Sequence, residues 1–172
     1  RPQVSRLFRD FLAGPARQAD TLYILGDLFE YWAGDDDLDE AFIAGHCAAL
    51  RDLAAAGVRI FFMAGNRDFL AGDGFARAAG LSLLPEPAVI ELGGVPTLLM
   101  HGDTLCTDDV AYQNFRSMVR TSTWCDDFLA RPLAARKAQI EALRRHSEQE
   151  KQIKSAAIMD VNSGEVIALV SL

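Results

Sequence analysis

The chain has 172 residues, long enough for one domain with a real hydrophobic core; half of them are hydrophobic and 24% are charged. Its formal net charge of −7 argues against a general nucleic-acid binder, which needs a basic face to displace counterions. It does not argue against a phosphorylated substrate, because bound cations reverse the local field. No apolar run reaches the roughly 18 residues of a membrane span. The three cysteines, Cys47, Cys106 and Cys125, are odd in number and lack CxxC spacing, which fits free thiols in a reducing compartment.

In chain order, Val4, Leu7, Phe8, Phe11 and Leu12 recur at helical spacing, which predicts an amphipathic helix over residues 2–12 ended by Gly14-Pro15. Residues 21–25 are rich in strand formers and stop at Gly26-Asp27, so they read as a buried strand. A second helix is expected over 39–56, with Phe42, His46, Leu50 and Leu53 on one face and Gly57 at its C-terminus. His46 on that apolar face reads as structural and His146 as exposed. Residues 59–64 form the next strand and run directly into Gly65-Asn66-Arg67-Asp68. A shorter helix ends at Gly80, residues 81–84 form a strand, and 88–92 with 95–100 flank Gly93-Gly94 as a hairpin. His101-Gly102-Asp103 follows at once. From Asp108 the sequence turns helical, through Arg120 and again over 132–159. There is no internal repeat and no low-complexity segment. The fold class is α/β with a helical insertion after the third motif.

Chemistry gathers where strands end. Open α/β sheets bind ligands beyond the carboxyl ends of their strands, and three predicted strands end in a potential metal ligand: Asp27, Asn66 and His101. Each has a glycine neighbour, Gly26, Gly65 or Gly102, which permits sharp turns and close backbone approach. Carboxylate, amide oxygen and imidazole together suit Mn²⁺, Fe or Zn²⁺. Two such ions roughly 3.5–4 Å apart polarise a phosphoryl group and generate hydroxide for in-line attack. Singly, each motif has a plainer reading: a turn at Gly26-Asp27, a turn with an ion pair at Asn66-Arg67-Asp68, a core histidine at His101. The ordered set of three is hard to obtain by chance.

That order, Gly-Asp, Gly-Asn-Arg-Asp, His-Gly-Asp, resembles the calcineurin-like metallophosphoesterase superfamily. Residues 23–30 (YILGDLFE), 65–70 (GNRDFL), 100–108 (MHGDTLCTD) and 157–162 (AIMDVN) narrow the resemblance to the UDP-2,3-diacylglucosamine pyrophosphohydrolases, over essentially the whole chain. The resemblance implies a calcineurin-like sandwich with a helical lid at about 108–158. It implies hydrolysis of the pyrophosphate of UDP-2,3-diacylglucosamine to 2,3-diacylglucosamine 1-phosphate and UMP, a step of lipid A biosynthesis, by metal-activated water at the α-phosphorus. Two Mn²⁺ ions and a peripheral place on the cytoplasmic face of the bacterial inner membrane follow from it, with no nucleic-acid partner. Asp27 matches the family's bridging carboxylate, and Asn66 and His101 match ligands of the second ion. Asn66 and Arg67 match substrate contacts, and a guanidinium beside a metal ligand suits the charge of a transferring phosphoryl group. Asp109, Ser147, Lys151 and Lys154 match further substrate contacts.

Two regions keep two readings each. Ser147, Lys151 and Lys154 share one face of a helix, which serves either a substrate or simple solvation of a charged surface. Trp124, Phe128, Leu129 and Leu133 are either an apolar lid for acyl chains that also touches the membrane, or core packing, and Asp126 and Asp127 make this stretch more polar than a membrane-seeking face. Phe61-Phe62 reads as core, and Cys106 as packing and not a nucleophile.

The sequence contains neither the Asp-x-His pair nor the Gly-His-x-His motif that completes such a site in the family. Both would fall beyond its ends, so the expectation is a piece of a longer chain, nearly inactive alone and with a bare sheet edge. The alternatives are a related phosphodiesterase with another substrate, and a metal-free lipid- or nucleotide-binding module.

Overall fold

A computed structural model describes residues 2–150, with side-chain surroundings over residues 3–145. The motif at 157–162, Lys151 and Lys154 therefore lie outside the described residues, as do the side chains of His146 and Ser147.

Helix α1 (Pro2–Ala13) leads through a short 3-10 turn to strand β1 (Thr21–Ile24). Helix α2 (Ala41–Ala55), strand β2 (Arg59–Met63), helix α3 (Asp73–Ala79) and strand β3 (Ser82–Leu84) follow. The three strands form a parallel sheet in the order β1-β2-β3, with Tyr23 beside Phe61 and Phe61 beside Ser82. Among the described residues β1 has one strand neighbour, β2. Strands β4 (Ala88–Leu92) and β5 (Val95–Leu99) pair antiparallel through a left-handed Gly93-Gly94 turn, as that dipeptide predicts.

Strand alternation sorts the side chains into two layers. Leu22, Ile24, Ile60 and Phe62 point to one face, where they join Phe8, Leu12, Leu50, Leu53 and Phe75 of the three helices in one buried cluster. Phe62, Leu50, Leu53 and Phe75 are wholly buried, and each such side chain is worth about 1.5–3 kcal/mol of burial. Tyr23, Leu25 and Met63 point to the other face and pack with Ala88, Ile90 and Leu99 of the hairpin. Tyr23 and Phe61, register partners, stack on each other at 5.3 Å.

Helix α1 forms where its periodicity predicts, and one expectation, for the sheet, needs correction. On α1 the core takes Phe8 and Leu12, but Val4 and Leu7 stand exposed at 58% and 65%, so the apolar stripe is wider than the surface it meets. His101 follows β5, which belongs to the hairpin and not to the parallel sheet. The site is therefore assembled from two layers, not along the edge of one.

Helices α4 (Val110–Val119), α5 (Ser122–Leu129) and α6 (Leu133–Glu150) complete the described chain. Asp109 and Thr121 cap α4 and α5 by accepting from Tyr112 N and Trp124 N. This segment is anchored to the core by charge as well as by the buried Val119 and Phe128. Arg136, 2% exposed, donates to the carbonyls of Ala33 and Arg131 and to Asp36, and Lys137 pairs with buried Asp37 at 2.6 Å. The two readings of its apolar residues divide. Phe128 is buried and stacks on Trp124, which reaches Phe69 just after Asp68, whereas Met118 and Leu129 remain exposed. Among the described residues no helix is long and apolar enough to cross a membrane.

Candidate metal centre

Each ligand-type residue sits just past a strand, and glycine serves each one differently. Gly26 has φ +92°, and a Cβ there would lie 2.5 Å from Gly65 Cα and 2.7 Å from His101 Nδ1. A Cβ on Gly65 would collide with Asp27. The Gly26-Asp27 and Gly65-Asn66 loops therefore touch backbone to backbone, with the His101 ring against both. Gly102 has open space around it but φ +96°, so its role is conformational alone.

Asp27 itself adopts φ +54°, the left-handed region that costs a non-glycine residue about 1–2 kcal/mol. Asp68 holds it there. Its wholly buried carboxylate accepts from the backbone N–H groups of Gly65 (2.7 Å) and Asp27 (3.2 Å) through one oxygen, and of Leu28 (2.8 Å) and Phe29 (3.4 Å) through the other. Burial pushes its pKa up to about 6, against the opposing pull of those backbone donors. In sequence Asp68 reads at most as an ion-pair partner in a turn; the buried carboxylate joining two loops is the structural half of Gly-Asn-Arg-Asp.

The side chains of Asp27, Asn66 and His101 meet. His101 Nδ1 lies 2.7 Å from the carbonyl of Leu25, which can only accept, so Nδ1 carries the proton and Nε2 presents its lone pair. One terminal atom of the Asn66 amide stands 3.0 Å from that Nε2 and 3.1 and 3.2 Å from the two Asp27 oxygens. Turned one way, the amide nitrogen donates to all three acceptors; turned the other, the amide oxygen joins them as a fourth. A point where carboxylate, imidazole and amide oxygen converge is what a divalent cation requires, so the donor set fits one ion. Among the described residues no three His, Cys, Asp or Glu side chains are grouped so as to hold a metal ion, and the set depends on its amide.

Arg67 frames the centre. Its N–H donates to Asp27 Oδ1 at 2.9 Å, its Nε lies 3.3 Å from Asp27 Oδ2, and its Nη1 donates to Glu30 at 2.7 Å. Glu30 also faces Arg144 of α6 at 3.9 Å, and Arg144 lies over the Tyr31 ring. The late part of α6 thus runs beside the centre, and Ser147 is three residues further along that helix. Asp109 is exposed, and its carboxylate caps α4. Cys106 is exposed, which corrects the expectation that it packs, because the turn after His101 carries it outward. His46 is buried beneath Phe8 and Phe42 and bonded to the Phe42 carbonyl, the structural role its position predicts.

Sequence reading also missed a charged group on the far side of His101. Glu86 accepts from His101 N at 3.1 Å and from Arg116 at 2.7 Å, and Asp103 accepts from Arg116 and Tyr112. Burial works against the Asp103 charge, but the Arg116 and Tyr112 hydrogen bonds outweigh it and hold that carboxyl below its ordinary range. No local signal marks these partners, since Glu86 and Arg116 are 30 residues apart.

The geometry and the sequence agree on a class. The chain belongs to the calcineurin-like phosphoesterase family, whose description matches residues 1–164, a family of metal-dependent hydrolases. Within it the chain is similar to UDP-2,3-diacylglucosamine hydrolases. That of Aromatoleum aromaticum is 54% identical, covering 98% of this chain and 69% of the relative. That of Xanthomonas oryzae pv. oryzae is 51% identical over 98% and 70%, and that of Escherichia fergusonii 49% identical over 97% and 69%.

Proposed function

We propose that this protein hydrolyses the pyrophosphate bond of UDP-2,3-diacylglucosamine, releasing 2,3-diacylglucosamine 1-phosphate and UMP. The observation that carries the reading is the convergence of Asp27, Asn66 and His101, within hydrogen-bonding distance around one amide atom, in a chain about half identical to hydrolases named for that substrate. Water adds to the α-phosphorus, and the bridging oxygen leaves with the sugar 1-phosphate.

Asp27, Asn66 and His101 would hold a divalent ion, with Mn²⁺ the ion expected. When bound, it supplies a Lewis acid for the phosphoryl oxygens and lowers the pKa of water. The residues of the chain do the orienting. The Leu25 carbonyl fixes the His101 tautomer, Asp68 fixes the left-handed Asp27, and the Arg67 guanidinium lies against Asp27, where it can offset charge gathering on the phosphoryl group. Asp109, Ser147, Lys151 and Lys154 are taken as substrate contacts, and the exposed Met118 and Leu129 as part of a lid for the acyl chains at a peripheral membrane site.

The test is substrate choice by the full-length protein with Mn²⁺. UMP release from UDP-2,3-diacylglucosamine at a kcat/KM at least about 100-fold above that for an aryl phosphodiester, ~2.7 kcal/mol, supports the reading. Equal rates point to a phosphodiesterase with another substrate. Binding of the lipid without turnover or metal uptake points to a binding module.

A further inference from the structure

A second cluster of charge lies beside the donor set and contributes no ligand to it. Glu86 and Asp103, each with a side chain 8% exposed, face Arg116 and Arg120 of the helical segment. Arg116 joins the two carboxylates at 2.7 Å each. Arg120 is placed differently. Its Nη2 donates to the carbonyl of Gly65 at 2.9 Å, its Nη1 lies 3.5 Å from Glu86 Oε2, and its Cζ lies over the Phe69 ring, 5.4 Å from the ring centre. The other oxygen of Glu86 accepts from the backbone N–H of His101. One guanidinium therefore grips the residue before Asn66 and the carboxylate that carries His101.

With two carboxylates and two guanidiniums the cluster is balanced, so it offers the metal centre little net field and acts through geometry. A fork of fixed donors spans two acceptors in a way a single ammonium cannot. We propose that Arg120 is a positioning residue of the metal centre, setting the spacing of Asn66 and His101 by holding Gly65 and Glu86 at once. The proposal rests on the reading of this site as a metal-dependent hydrolase. It makes helix α4, whose C-terminal cap is Arg120, part of what shapes the centre.

The experiment compares full-length wild type with Arg120→Lys, Glu86→Gln and a control, Arg51→Ala. Arg51 bonds the Ala78 carbonyl between α2 and α3, and its loss weakens the fold away from the centre. The readouts are the Mn²⁺ dissociation constant by calorimetry, kcat and KM, and the thermal midpoint. Arg120→Lys is expected to weaken Mn²⁺ binding about tenfold or more, the usual effect of removing support behind metal ligands, and to lower kcat with KM within about twofold. Glu86→Gln keeps an acceptor for His101 N–H and is expected to weaken Mn²⁺ binding by a smaller factor; it carries the test if Arg120→Lys does not fold. Arg51→Ala should lower the midpoint and leave Mn²⁺ affinity unchanged. Wild-type Mn²⁺ affinity in both site variants, or a loss no greater than in Arg51→Ala at equal destabilisation, overturns the proposal. A wild type that takes up no Mn²⁺ overturns the metal-centre reading and this proposal together.

Discussion

The α/β core and the helical segment are held by different forces. In the core, Leu50, Leu53, Phe62 and Phe75 vanish from solvent between sheet and helices. The segment from α4 to α6 is fastened by Arg116, Arg120, Arg136 and Lys137 to the core carboxylates Glu86, Asp36 and Asp37, to Asp103, and to the carbonyls of Gly65 and Ala33. Burial is non-directional and is not screened by salt, whereas these anchors are directional and range from the buried Arg136 to the exposed Asp36. A core built the first way fixes where the strands end, and a segment held by charged anchors beside its buried Val119 and Phe128 is expected to loosen without melting what lies beneath it. The candidate metal centre lies between them, with Asp27 and Asn66 on the core side and His101 where the hairpin hands over to the segment.

The largest expected effect joins the two regions. Asp27→Ala in the full-length protein should lower kcat by about 10³-fold or more, several kcal/mol of transition-state stabilisation, with the circular dichroism spectrum unchanged. Activity within tenfold of wild type would remove Asp27 from the centre. Next, Leu53→Ala should cost about 2–5 kcal/mol in urea unfolding, seen alike by probes in core and segment because the whole fold rests on that cluster. Arg136→Ala should cost less, about 1.5–3 kcal/mol for its charged hydrogen bonds, and the loss should be local. Faster amide exchange in α6 with unchanged exchange in β2 is the expected pattern, and equal acceleration in both would erase the distinction between the regions. The smallest effect is assigned to Lys154→Ala, a rise in KM of about fivefold, ~1 kcal/mol, with kcat retained. An unchanged KM removes Lys154 from the substrate contacts.

The same division explains what the sequence made legible. Core elements announce themselves locally, through the run of strand formers in β1, the Gly57 and Gly80 helix ends, and the Gly93-Gly94 turn. Asp27, Asn66 and His101 were legible because each follows a strand at once and stands beside glycine. That their loops touch backbone to backbone was not, since it depends on how β1, β2 and the hairpin stack. The exposure of Val4 and Leu7 was hidden for a like reason: periodicity marks a stripe, and packing decides how much of it is covered. Least legible were the anchors. Arg136 and Ala33 are 103 residues apart and Arg120 and Gly65 are 55, and nothing local separates an arginine that grips a carbonyl from one in solvent.

The proposed activity requires Asp27, Asn66 and His101 to form a working metal site. The measurement that tests it most directly is UMP release from UDP-2,3-diacylglucosamine by metal-stripped full-length protein titrated with Mn²⁺, alongside Asn66→Ala. The wild type should be silent without metal and regain turnover saturably, and Asn66→Ala should require at least about tenfold more Mn²⁺ to reach half its lower maximum. Turnover independent of metal, or an Asn66→Ala titration that overlays the wild type, would contradict it.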